Sequence, residues 1–231
     1  MTKLYVYCNP IADTGAMAIA AGLADTFAPL ANLYLGASQI GDDGAVALGA
    51  ALATTRAPLE KLYLFDNAIG DEGACAIAKG LAVTDAPLAN LDLCNNRIGA
   101  AGATAIGEAL ATTPAPLEKL FLYSNELGDA GAATIAAGVS RTKAPLSRLD
   151  LYNNAIADEG AVALAASLRV TKAPLRKLVL HANCIGNAGA AALDDALKTT
   201  KTPLRELVLH DNCIGEAGKA PLRRTASAAT A

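Results

Sequence analysis

The dipeptide Pro-Leu returns at Pro29, Pro58, Pro87, Pro116, Pro145, Pro174 and Pro203, with a step of 29 residues each time. A fixed step of this length means that no unit can bury its apolar side alone, so successive units must stack. Other columns keep the same register. Leucines stand at Leu4, Leu33, Leu62, Leu91, Leu120, Leu149, Leu178 and Leu207, and a second apolar column follows two residues on, at Val6, Leu35, Leu64, Leu93, Leu122, Leu151, Leu180 and Leu209. An asparagine column reads Asn9, Ser38, Asn67, Asn96, Asn125, Asn154, Asn183 and Asn212, and an Ile or Leu column runs from Ile11 to Ile214.

Within one unit the hydrophobic period changes. In "LEKLYLFDN" apolar residues alternate, which is the pattern of a short strand with one face buried. In "DEGACAIAKGLA" Ala74, Ile77, Ala78 and Leu81 fall at helical spacing, and Asp71 and Glu72 suit a helix N-terminus. Proline then stops the helix where no donor is needed. Each unit therefore reads strand, turn, helix, loop.

These columns resemble the leucine-rich repeat family in its ribonuclease-inhibitor-like subtype, whose units read LxxLxLxxNxIxxxG and continue into a helix. The resemblance covers residues 1–220 and implies an α/β solenoid of about eight repeats of 29 residues. Parallel strands stack about 4.8 Å apart, whereas helices with side chains are about 10 Å wide, so the stack should curve into a horseshoe. The parallel β-sheet then lines the concave face and the helices the convex one. Small residues on the helices should make that curvature gentle.

Residues 1–220 form the repeat domain, and residues 221–231 read as a short disordered tail, small and polar. In that tail "RRTAS" has the form of a basophilic kinase site at Ser227, a pattern frequent by chance. Both ends read as ordinary repeats cut short, since Gly218 is followed by Pro221 where Gly189 is followed by Pro203. Two readings fit: a fragment of a longer protein, which is preferred, or ends that pack on another copy through end-to-end self-association.

Composition narrows the function classes. No apolar stretch approaches the roughly 18 uncharged residues of a membrane span, and the N-terminus "MTKLYVYCNP" lacks the pattern of a signal peptide. Together with five cysteines, an odd number, this suggests a reducing, cytoplasmic setting. Net charge is -3, but residues 1–116 carry 5 Lys/Arg against 11 Asp/Glu, while residues 117–231 carry 14 against 11. The positive excess gathers before the strands at Arg141, Lys143, Lys172, Arg176, Lys177 and Lys201, and reads as a solvated rim.

If Leu62 and Leu64 point inward, Tyr63 and Phe65 must point outward. The sixteen outward positions of this kind hold Tyr5, Tyr7, Tyr34, Tyr63, Phe65, Phe121, Tyr123 and Tyr152, which leaves only Phe27 of the nine aromatics elsewhere. His181 and His210 join them, and Asp66, Asp92 and Asp150 interleave, with Asn95 and Asn153 alongside. Rings favour strands and stack on neighbours. An uncovered sheet face carrying them nevertheless suits protein binding, and these thirteen site residues are the expected partner surface. Its acceptors suit a basic or mixed protein segment and would repel a nucleic-acid backbone. Lys3, Lys61, Lys119, Arg148 and Lys177 are assigned to the rim.

Catalysis and cofactors find little support. "HANCIG" and "HDNCIG" offer His181, Cys184, His210 and Cys213, a ligand set suited to zinc, but the histidines fall on strands and the cysteines in turns. No metal or cofactor is expected, although Cys184 and Cys213 remain candidates for oxidation to each other. No Ser or Cys has the neighbours of an activated nucleophile. The family resemblance also admits an alternative: Ran GTPase-activating proteins share this repeat and carry a functional Asn-rich concave segment, similar to "FDNAIG" with Asp66 and Asn67. The reading taken is a non-enzymatic protein-binding module.

Overall fold

The computed structural model describes residues 1–25, 29–200 and 204–218. Phe27, Lys201, Pro203 and the tail at 221–231, with Ser227, lie outside them. The described chain alternates β1 (Lys3–Tyr5), α1 (Ala12–Asp25), β2 (Asn32–Tyr34), α2 (Asp42–Thr54), β3 (Lys61–Tyr63), α3 (Asp71–Val83), β4 (Asn90–Asp92), α4 (Ala100–Thr112), β5 (Lys119–Phe121), α5 (Gly128–Arg141), β6 (Arg148–Asp150), α6 (Asp158–Val170), β7 (Lys177–Val179), α7 (Asn187–Thr199) and β8 (Glu206–Val208). All eight strands form one parallel sheet in chain order. Register follows the repeat, with Leu4 opposite Leu33, Leu33 opposite Leu62, and so on to Leu207. Among the described residues no helix is long and apolar enough to cross a membrane.

The leucine columns and the inner helix faces make one continuous core. Leu33, Leu35, Leu62, Leu64, Ile69, Ile77 and Leu81 are essentially inaccessible, and their counterparts repeat along the stack. Burying each such side chain is worth about 1.5–3 kcal/mol, which is how three-residue strands persist. Helices touch at backbone distance in two places. A Cβ on Gly80 would lie 2.3 Å from the Gly49 carbonyl oxygen, and one on Gly138 would lie 2.2 Å from that of Gly107. The close approach expected from small helix residues is thus present at α2–α3 and α4–α5.

Polar ladders tie each repeat to the next. Asn67 accepts the Ser38 and Ile40 amides at 3.0 Å and donates to the Leu35 and Leu64 carbonyls. Asn96, Asn125, Asn154, Asn183 and Asn212 occupy the same place. Ser38 fills the column only in part: its hydroxyl donates to the Gly36 and Val6 carbonyls, while the Ile11 amide turns to the Asn9 carbonyl instead. At the helix C-termini, buried threonines do similar work, as when Thr113 donates to the Leu81 carbonyl and accepts the Ala115 amide.

Asp71 and Glu72 stand in the first turn of α3, as expected. The Asp71 side chain also reaches further: its Oδ1 accepts the amides of Gly99 and Gly102, at the start of α4 in the next repeat. Asp13, Asp42, Asp129 and Asp158 do likewise, giving each following helix the acceptor that an N-cap side chain would supply. Ala100 breaks the column, and the turn it would have held departs from those before α2, α3, α4, α6 and α7, while Ala12 at the start of α1 also takes a positive φ, +51. Before α5, Leu127 is helical and Gly128 takes φ +59, whereas Gly70, Gly99 and Gly186 are extended at the same place.

Candidate functional site

Alternation along a strand sends residues i, i+2 and i+4 to one face, so each repeat presents three side chains away from the helices. The middle column begins with Tyr5, Tyr34 and Tyr63, whose rings stack at 4.5 and 4.8 Å. It continues through Asp92, Phe121, Asp150, Val179 and Val208. In the next column Tyr123, Tyr152, His181 and His210 stack at 4.2, 4.2 and 4.4 Å. These steps approximate the strand spacing, so in-register identical positions suffice to build both stacks. Phe65 belongs to this column too and lies across Gly36, where a Cβ would meet its Cζ at 2.3 Å.

One aromatic row therefore occupies the N-terminal repeats and the other the C-terminal repeats, in different columns. Between them Asp92, Cys94, Phe121, Arg148 and Asp150 form a polar crossing. Arg148 grips Asp150 through Nε at 3.0 Å and Nη2 at 2.7 Å, with its guanidinium 5.1 Å from the Phe121 ring. Asp150 is 2% exposed, so the bidentate pair is what makes its burial tolerable. Asp92 accepts the Cys94 amide at 3.0 Å.

Burial disfavours charge at several groups of this surface. It raises the Asp92 carboxyl above the ordinary range, against the pull of its bond from Cys94, with Asp150 adding repulsion. It also pushes up the Cys94 thiol, beside Asp92, and the Tyr123, Tyr152 and Tyr34 hydroxyls. Burial lowers His181, and neighbouring His210 lowers it further. His181 Nδ1 is buried without a partner among the described residues, while His210 Nδ1 lies 2.7 Å from Asp211.

The thirteen expected residues are therefore arranged unequally. Tyr5 and Tyr7 are the most open rings at 56% and 49% exposure, and Tyr34, Tyr63, Phe65, Phe121, Tyr123, Tyr152 and His181 are half-buried in the rows. His210 and Asp66 are exposed, Asp92 is half-buried, and Asp150 is covered. Asp66 has φ +54 and accepts from Asn95 at 2.7 Å, while Asn153 donates to Ser124. Cys8, Ala37, Asp66, Asn95, Ser124, Asn153, Ala182 and Asp211 all have positive φ, so the turn itself favours Asp and Asn there. Asn67 has both ends of its amide engaged in the ladder.

The third outward column is Lys3, Asn32, Lys61, Asn90, Lys119, Arg148, Lys177 and Glu206. Assigning Arg148 to the rim is incorrect, because Asp150 draws it across the sheet. Asn90 reaches the Tyr63 hydroxyl at 3.5 Å, another partner missed in sequence. Carrying the strand alternation back by one step would have found both. Cys184 and Cys213 are exposed free thiols, and no group of three or more potential metal ligands converges among the described residues.

The family model described as "Leucine Rich repeat" matches residues 1–20, 57–78 and 143–165, in keeping with the repeat register and the parallel sheet. The chain carries leucine-rich repeats. Among curated proteins none matches it in sequence. An internalin from Listeria monocytogenes str. 4b F2365 superposes on this repeat protein with TM-score 0.56 at 20% identity, covering 91% of this chain and 48% of the internalin. The chain thus spans about half that relative's length. Leiomodin-1 actin-binding site 2 superposes more loosely, with TM-score 0.46 and 20% identity over 55% of this chain and 72% of that one. A plant ice-binding protein does so with TM-score 0.44 and 19% identity over 80% and 48%. No catalytic family is indicated by these similarities.

Proposed function

We propose that this repeat protein is a non-enzymatic protein-binding module of the ribonuclease-inhibitor-like subtype, which takes a segment of a protein partner along the concave sheet face. The observation that carries this is the continuous pair of aromatic rows on the side of the sheet away from the helices. Stacking occupies the ring faces and leaves the half-buried rings part of their surface open. A partner thus meets large, stiff contact area with little rotamer entropy left to lose. Asp66 and Asp211 are the exposed acceptors beside the rows, and they favour a segment of basic or mixed character. Arg148 and Asp150 satisfy each other and contribute shape more than charge.

The test is affinity capture from a cell extract by wild type and by a Tyr63→Ser/Phe65→Ser/Phe121→Ser/Tyr123→Ser variant, with circular dichroism confirming the fold of each. A partner kept by wild type and lost by the variant supports the face. Equal capture refutes it. Should the fourfold variant unfold, Tyr5→Ser/Tyr7→Ser removes the two most exposed rings and decides the matter in the same way.

A further inference from the structure

A second concave feature lies away from the sheet face, between the C-terminal ends of α5 and α6. The cleft holds about 620 Å³ and is lined by Ser140, Arg141, Thr142, Lys143, Ala144, Pro145, Val170, Lys172 and Pro174. Every ionisable group in that lining is a cation. None of Arg141, Lys143 and Lys172 makes an ion pair among the described residues, whereas nearby Arg148, Arg169, Lys177 and Lys198 all do. Between the cations the wall is apolar: Val170 is 64% exposed, against Pro145, Pro174 and Ala144.

The fold does not require this charge. Thr84, Thr113 and Thr142 each accept the amide two residues on, from Ala86, Ala115 and Ala144, at the same 3.1 Å, so the three loops share one local bond. Yet the position of Lys143 and Lys172 is Asp85 and Pro114 in earlier repeats, and that of Arg141 is Val83 and Thr112. Helix C-termini do attract cations. However, Lys143 and Lys172 lie past the helix ends, and Thr171 already donates to the Val139 carbonyl there.

We infer that the cleft formed by Arg141, Lys143, Val170 and Lys172 is a docking site for a short acidic peptide segment of a protein partner, with one apolar side chain seated on Val170 and the flanking prolines. Charge complementarity selects the segment, and the apolar wall distinguishes it from a free anion. The site is independent of the sheet face, so either can fail without the other.

The experiment is fluorescence anisotropy with a fluorescein-labelled peptide of aspartate and glutamate bearing a central leucine, titrated with the intact chain. Saturable binding that weakens with salt is expected, since a Debye length of about 10 Å at 0.1 M screens exposed charge. Arg141→Thr/Lys143→Asp/Lys172→Asp, in which each position takes a residue this chain uses in an equivalent loop, should weaken it about tenfold or more. Lys143→Arg/Lys172→Arg should keep it. Equal binding by wild type and the triple variant, with both folded by circular dichroism, overturns the proposal, as does the absence of saturable binding at low salt. Displacement of the peptide by an equal concentration of inorganic phosphate or of an oligonucleotide also overturns it. If the triple variant unfolds, Lys143→Asp and Lys172→Asp are read singly by the same criteria.

Discussion

Replacing Asn125 with alanine tests the ladder where its cost can be worked bond by bond. Its Oδ1 accepts the Ile98 amide at 3.0 Å, and its Nδ2 donates to the Leu93 and Leu122 carbonyls at 3.0 Å each. In Asn125→Ala, Leu93 keeps a bond from Asn96 and Leu122 keeps one from Asn154, so each carbonyl falls from two donors to one. The buried Ile98 amide has no such reserve and is left unpaired. An orphaned buried donor costs about 1–3 kcal/mol and each of the two lost bonds roughly 0.5–1.5, so the expected destabilisation is about 2–6 kcal/mol. Asn9→Ala is the control: Asn9 is exposed and, among the described residues, donates to the Val6 and Tyr7 carbonyls, which water can serve, so its cost should stay within about 0.5 kcal/mol. Urea melts followed by circular dichroism give both values, and native-state hydrogen exchange should show the Ile98 amide losing protection first. An Asn125→Ala cost below about 1 kcal/mol, or one equal to that of Asn9→Ala, would refute this accounting.

Three further outcomes are expected. Gly138→Ala places a methyl 2.2 Å from the Gly107 carbonyl oxygen, so α4 and α5 must separate, and a loss of about 1–3 kcal/mol should appear in the same melts. Asp158→Ala removes the acceptor of the Gly186 and Gly189 amides and should cost about 0.5–2 kcal/mol, with exchange speeding at the start of α7 and not of α6. Because His181 is lowered in the folded chain, the unfolded chain binds its proton first on acidification. Its contribution to stability is full above the ordinary histidine value and declines as pH falls from there through the folded value. A His210→Ala variant should raise the His181 midpoint in an NMR titration.

The repeat, the strand and helix alternation and the inward leucines were legible because each is a periodic property of one residue type. Even the departure before α5 has a visible mark, Ala100 in a column otherwise made of aspartates and Asn187. What sequence could not give was direction between repeats. Asp71 carries a good N-terminal signal for its own helix, yet the next helix is where its carboxylate arrives, since stacking decides which amides lie in reach. The candidate surface was half legible in the same sense. Alternation put the rings on one face, but where the aromatic row passes from the middle column to the next, Asp92 holds Cys94 and Arg148 holds Asp150 along their own strands, while Arg148 also lies over Phe121 of the neighbouring strand. The Arg148–Asp150 fork joins two residues of a single strand, and alternation alone assigns a side chain to a face without saying which neighbour on that face it will grip.

The ladders have a consequence for how such a chain can change length. Aspartates reach forward into the next repeat and asparagines reach back into the previous one, so most joints are fastened by both of their members, those at Ala100 and Ser38 excepted. Gain or loss of a whole 29-residue unit brings like against like and restores the set of bonds. An insertion of a single residue inside a unit displaces both fasteners at once, on either side. Variation in this chain is therefore quantised: side chains on the outward columns and loops are free to drift, while the spacing is open to revision only in steps of one full turn of the solenoid.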